Sequence, residues 1–180
     1  MRADDTADRV LDAAEARFRR YGFHGTSFRD LAGDVGIKSA SVHHHFPTKA
    51  DLGRAVADRY AQRFLEALGD PRDPSRTRDA KIARLVRGFR EALQADNVMC
   101  LCGVLATESD GLPAKVTSSV ATFFRLTIQW TETALGGGDE AAAEARRLVA
   151  LLEGAMMLAS VLDDASVFEA AVRELPSATS

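Results

Sequence analysis

Val10, Ala14, Phe18 and Tyr21 recur at intervals of four, four and three, the period of one helix face. They predict a first helix over Thr6–Tyr21, with Asp4, Asp5 and Thr6 as its capping end and Gly22 as its stop. A short second helix opens at Thr26 or Ser27, where Ser27 and Asp30 have capping-box spacing, and closes near Val35 before Gly36. A third covers Lys38 to His44. Pro47 breaks the chain, and Thr48 caps a long fourth helix reaching Leu68. Gly69-Asp70-Pro71-Arg72-Asp73-Pro74-Ser75 reads as a loop. Beyond it Ile82, Leu85, Val86, Phe89 and Leu93 mark a fifth helix. Asn97 is placed to cap a sixth, through Cys100, Val104 and Leu105 to Gly111. Pro113 suits the first turn of a seventh, which carries Val116, Val120, Phe123, Phe124 and Trp130 as far as Gly136-Gly137-Gly138. Asp139 opens a long eighth through Leu148, Leu152, Ala155 and Leu162. Asp163 or Asp164 caps a short ninth through Phe168, Val172 and Leu175, after which Pro176 and a Ser/Ala/Thr tail fray. The expected fold is all-α, with about nine helices.

Between Phe28 and Phe46 the pattern is more specific. Two short helices that cross at a fixed angle need a small residue at the crossing, a glycine in the turn and apolar residues to cement both. Ala32, Gly36, and Leu31, Val35, Ile37 and Val42 meet those needs at the offsets of a helix-turn-helix. In such a unit the second helix enters the major groove and its first residues meet base edges. Here those residues are Lys38, Ser39, Ala40 and Ser41, none of them bulky and apolar. A plain helical hairpin is the bland alternative.

Charge sharpens this division. Residues 1–54 hold nine Lys/Arg, eight Asp/Glu and all four histidines, whereas residues 55–180 hold fourteen Lys/Arg against eighteen Asp/Glu. The acidic remainder argues against a non-specific architectural DNA-binding protein, for which a strongly basic chain is expected. No apolar run is long enough to span a bilayer. The polar, acidic Met1–Asp8 stretch predicts no secretory leader, and two cysteines two apart make no disulfide framework, so a cytoplasmic location is expected. Neither a phosphate loop, a nucleophile elbow nor a Glu-x-x-His pair is present, so no enzyme is expected. His43-His44-His45 diverge by about 100° per residue around a helix and cannot close on one ion, so no metal and no cofactor are expected.

Ala13-Ala14 through Phe18, Gly22-Phe23, Gly25-Thr26-Ser27, Leu31-Ala32, Val35-Gly36-Ile37 and His44-His45-Phe46-Pro47-Thr48-Lys49 with Leu52 together resemble the DNA-binding domain of the TetR family of bacterial regulators. Met99-Cys100-Leu101-Cys102-Gly103 to Glu108 is similar to ligand domains in one branch of that family. The resemblance implies a helix-turn-helix domain over 1–52 and a helical ligand-binding and dimerisation domain over 53–180. It further implies a homodimeric repressor on palindromic double-stranded operator DNA, released by a small-molecule effector. Carried over by position, Thr26, Ser27, Arg29 and Lys49 face phosphate, and His43 stands where the family usually has a phosphate-contacting tyrosine. His44 and Thr48 fall in the same interface, with His44 or His45 also fixing the end of the third helix against Phe46. Lys38 stands where a small capping hydroxyl is usual, which points to Ser39 as the cap.

Met99, Cys100, Phe123, Phe124, Trp130 and Met156 are candidates for an apolar effector pocket, although most such residues are ordinary core. Gly154, Ala155 and Ala159 beside Leu151 and Leu158 suit a two-fold interface built by the last two long helices of each subunit. A redox- or electrophile-sensing regulator acting through Cys100 or Cys102 is the alternative, and it requires an accessible thiol of low pKa.

Overall fold

The computed structural model describes residues 3–94 and 98–176, which are helical with no strand among the described residues. In chain order the helices are α1 (Ala3–Tyr21), α2 (Phe28–Val35), α3 (Ser39–His45), α4 (Lys49–Leu68), α5 (Arg78–Gln94), α6 (Leu101–Thr107), α7 (Ala114–Ala134), α8 (Asp139–Leu162) and α9 (Ser166–Ala171), with a 3-10 turn at Ser109–Gly111 between α6 and α7. Helix α1 begins before its expected cap. Thr6 is buried inside it, so packing overrides the capping preference of that hydroxyl. Pro113 precedes α7 as its cap, with its carbonyl accepting from Val116 and Thr117. Asp163 ends α8 in the left-handed conformation rather than starting α9, and Asp164 accepts from Ser166 N–H instead. The ninth helix stops at Ala171, short of Leu175. Asn97 and the tail from Ser177 lie outside the described residues.

The chain forms two compact units, each drawn from two segments. The first takes residues up to Ala61 together with Leu101–Phe123, and the second takes Gln62–Cys100 together with residues from Phe124 onward. The expected boundary at residue 52 falls inside α4.

The core of the first unit is formed by buried Val10, Ala14 and Phe18 of α1, Leu31 and Val35 of α2, Val42 of α3, and Leu52 and Val56 of α4. Polar ties surround this core. The Arg17 guanidinium grips the Asp34 carboxylate through two donors, Arg9 donates to the Val35 carbonyl at the end of α2, and Arg59 of α4 reaches Asp12 of α1 at 2.7 Å. Helix α6 lies against α1. The turn after α2 is closed by Gly36 at φ +72, with Ile37 N–H donating to Ala32 and Gly36 N–H to Gly33, the paired bonds of a helix C-cap.

In the second unit α8 packs on α5 and α9. Ile82, Leu85, Val86, Phe89 and Leu93 of α5 and Leu148, Leu152, Ala155, Met156 and Ala159 of α8 are all buried. Arg90 lies over the Phe168 ring and forms a two-bond pair with Glu169, at 2.7 and 3.0 Å. Helices α7 and α8 are joined through Gly136, Gly137 and Gly138, all at positive φ with nothing near the position of a β-carbon. One face of α8 is left apolar and open. Met157, Leu158, Val161 and Leu162 are 43%, 49%, 78% and 61% exposed.

Two glycines of the helix-turn-helix are expected to respond oppositely to alanine. Gly36→Ala forces a β-carbon into a left-handed backbone and is expected to cost about 1 kcal/mol. Gly33→Ala, at an unobstructed site within α2, is expected to gain roughly 0.5–1 kcal/mol. Paired thermal or urea melts measure both.

Candidate nucleic-acid interface

Helix α3 has seven residues, too short to persist alone, and it is fixed by what it buries. Val42 inserts fully into the core, while Ala40, His43 and His44 are exposed and Ser39 and Ser41 half-exposed. The outer face of α3 therefore carries only small hydroxyl, methyl and imidazole groups. Lys38, not Ser39, is the N-cap residue. Its extended backbone supplies the capping carbonyl to Ser41 N–H, and no side chain caps the helix. Ser39 is the first helical residue instead, because the tight Gly36-Ile37 turn delivers the chain one residue earlier than the expected hydroxyl cap requires. The His43 ring packs edge-on against Phe28 at 4.6 Å, and the His45 ring lies 6.5 Å from that of Phe46.

The hydroxyls flanking this helix are already engaged. Thr26 is buried and its Oγ1 donates to the Gly22 carbonyl. Ser27 caps α2 in a full capping box, with Asp30 N–H donating to Ser27 Oγ and Ser27 N–H donating to Asp30 Oδ2. At the start of α4, Thr48 Oγ1 accepts from Asp51 N–H and donates to Asp51 Oδ2. These bonds hold the Asp30 and Asp51 carboxyls below the usual carboxylate range, Asp30 through Ser27 and Asp51 through Lys115 first and Thr48 second. What α2 and α4 offer outward at their starts is thus backbone N–H and helix dipole rather than free hydroxyl. Arg29 stands exposed on the first turn of α2. Lys49 opens α4 with its ammonium 4.4 Å from the centre of the Phe23 ring. Burial pulls its proton affinity down, and Glu108 and Asp30 oppose that pull.

The apolar candidates are divided between the two units. Phe123 belongs to the first unit, its ring tilted against that of Tyr60 at 5.6 Å. Met99, Cys100, Phe124, Trp130 and Met156 belong to the second, with Cys100 and Met156 buried and Met99 and Phe124 half-buried. Trp130 donates its indole N–H to the Gly69 carbonyl at 2.6 Å. It lines an open groove of about 290 Å³ with Leu65, Pro71, Arg72, Leu126, Gln129 and Thr133.

Glu153 is a site that sequence reading missed. Its Oε1 accepts from Cys100 Sγ at 2.9 Å, its Oε2 is buried with no partner, and burial pushes its carboxyl up to about 7. Only the separation of 53 residues hides this pair from sequence reading. Its geometry also disfavours thiol sensing. Cys100 is 1% and Cys102 0% exposed, and an adjacent carboxyl does not promote a thiolate.

The family model for bacterial regulatory proteins of the tetR family matches residues 10–56, from α1 into α4. A TetR transcriptional regulator from Legionella pneumophila is 31% identical, with a TM-score of 0.83 over 92% of each chain. A TetR-family regulator from Agrobacterium tumefaciens is 27% identical, with a TM-score of 0.88 over 96% of each chain. Among curated relatives, the HTH-type transcriptional repressor ComR of Escherichia coli is 40% identical over 57 residues, covering 32% of this chain and 27% of that repressor. The curated likeness thus spans about a quarter to a third of those relatives' length.

The buried Glu153 carboxyl gives a test that needs no ligand. Its folded-state value of about 7 lies above its ordinary 4.5, so between those values the unfolded chain loses its proton first and stability falls as pH rises. Glu153→Gln keeps an acceptor for Cys100 but cannot ionise. Its stability relative to the native chain is expected to climb from about pH 4.5 to about pH 7 and level off, by up to roughly 3 kcal/mol. Urea melts across that window measure the difference, and a flat difference places the carboxyl in water.

Proposed function

The chain belongs to the TetR family of bacterial transcriptional regulators, and from that premise we propose that it is a repressor that grips a palindromic operator as a homodimer and leaves it when a small-molecule effector binds. The observation that carries this reading is α3, with Val42 as its one buried residue and Ser39, Ala40, Ser41 and His43 outward behind Lys38. Small side chains let the helix backbone approach the major groove closely, and Lys38 has the reach for a guanine edge. Phosphates on either side are met by the starts of α2 and α4, through free N–H groups and the cations Arg29 and Lys49. Thr26, Ser27 and Thr48 act there by shaping those starts. His43 and His44 complete the phosphate-facing rim. The direction of control, repression, is taken from relatives such as ComR and the KstR2 repressor of Rhodococcus jostii.

One half-site per subunit gives little specificity, so a second copy at fixed spacing is required. The open face of α8 supports that pairing. Met157, Leu158, Val161 and Leu162 share one side of the helix, with Gly154 a turn before them and open space where its side chain would be. Effector uptake is assigned to the second unit, where Met99, Cys100, Phe124, Trp130 and Met156 lie. A ligand shifts DNA affinity only by as much as it prefers the DNA-incompetent state, and the two affinities weaken each other by one factor. Helix α4 starts at Lys49 in one unit and ends at Leu68 in the other, so its hydrogen-bonded rod is the route assigned to that coupling.

Two measurements test this reading on duplexes selected from a random pool by the native protein. Lys49→Ala is expected to weaken all DNA binding and lower the slope of log affinity against log salt by about one. Ser41→Ala is expected instead to change preference at one or two base pairs per half-site. An unchanged salt slope in Lys49→Ala removes α4 from the phosphate contact. Leu158→Glu is expected to give a helical monomer by sedimentation, with operator affinity lost. A dimer that survives this charge places the interface elsewhere.

A further inference from the structure

Between α1 and α2 the chain turns through Gly22, Phe23, His24 and Gly25. The N–H groups of Phe23 and His24 point at one oxygen of a distant carboxylate, Glu108 Oε2, at 2.9 and 3.4 Å. Glu108 follows α6, 85 residues away, within the same compact unit. Gly22 stands at φ +73, and a β-carbon there would overlap Glu108 Oε1. The turn is therefore a small anion cradle filled by a carboxylate of the protein itself. Three links run outward from it. Glu108 holds the Phe23 backbone, the buried Phe23 ring supports the Lys49 ammonium, and the same carboxylate attracts that ammonium. On the other side of the turn, Thr26 is tied back to the Gly22 carbonyl at 3.1 Å immediately before the Ser27 cap of α2. One side chain thus stands behind the starts of both helices assigned to phosphate.

We propose that Glu108 is a positioning residue for operator binding, setting through the Phe23 and His24 N–H groups the relation between the start of α2 and Lys49 at the start of α4. The inference rests on the assignment of those two helix starts to phosphate. Its action is separate from net charge. A carboxylate near a phosphate-facing lysine weakens attraction to any DNA, so as a bare charge Glu108 would hinder binding. As a clasp it helps binding wherever both helix starts must meet phosphates at one spacing, which a cognate half-site demands and random duplex does not.

The experiment uses the full-length protein, a duplex selected by the native chain from a random pool, and a scrambled duplex of equal length. Affinities are measured over a salt series, with circular dichroism and thermal melts on every variant. Glu108→Ala is expected to lose about tenfold on the selected duplex and to change by less than about threefold on the scrambled one. Glu108→Gln keeps an oxygen that accepts from both N–H groups, and it is expected to restore selectivity to within about twofold of native. Gly22→Ala strains a left-handed backbone and evicts the Glu108 carboxylate together, so it is expected to lose selectivity at least as far as Glu108→Ala does. If Glu108→Ala retains native selectivity, the proposal falls. It falls also if Glu108→Gln is as impaired as Glu108→Ala, since the charge and not the clasp then matters, or if Gly22→Ala keeps native selectivity. An unchanged salt slope in Lys49→Ala removes the phosphate assignment instead. With the normal Lys49 effect in place, a silent Glu108→Ala removes only the clasp.

Discussion

A seven-residue helix cannot supply its own stability, and α3 is such a helix, without even a side-chain cap. Everything that makes it a usable probe is borrowed. Val42 is its one buried residue, α3 packs on α2 and α1, and the Gly36 turn sets the angle at which the chain arrives. The ion pair of Arg17 with Asp34 and the hydrogen bond from Arg9 to the Val35 carbonyl tie α2 to α1 and hold the surface that receives Val42. The first unit is best understood as a mount for a small exposed surface that could not exist alone.

The same economy governs its charges. Residues 1–54 carry almost as many acids as bases, which on composition alone suits DNA poorly. Folding rearranges that balance. Asp34 and Asp12 are taken up by arginines of the same unit, Asp51 by Lys115 and the Thr48 cap, and Asp30 by the Ser27 cap. Carboxylates committed to backbone and guanidinium partners weaken the field that a phosphate would meet, while Arg29 and Lys38 remain exposed. Net charge is thus a poor guide to this surface, and the placement of the acids a better one.

Local chemistry was legible in the sequence and distant pairing was not. The capping box at Ser27, the stops at Gly22 and Gly36, and the long helices α4, α7 and α8 each depend on residues within a turn or two of one another, and periodicity or capping preference exposes them. Where a local preference met a tertiary demand, the latter won, as when Thr6 was drawn into α1 and the cap of α3 passed to Lys38. Glu108 and Glu153 lie outside any such reading. Each acts on a partner far along the chain, and neither sits in a pattern that distinguishes it from a solvated surface acid. The apolar residues of the second half were recognisable as core, but period alone does not tell which of them enclose a cavity.

The glycines between α7 and α8 carry a practical consequence. Gly137 N–H closes the last turn of α7 on the Glu132 carbonyl, and the Gly138 carbonyl opens α8 by accepting from Ala142. The peptide bond joining Gly137 to Gly138 therefore lies between the two helix-ending bonds, in exposed chain with open space around it. Exposed, small-residue tips of this kind are where inserted modules are best tolerated. A fluorescent reporter spliced there would leave both terminal hydrogen bonds intact and sit at the hinge of the two longest helices, turning the regulator into an optical sensor of whatever strains them.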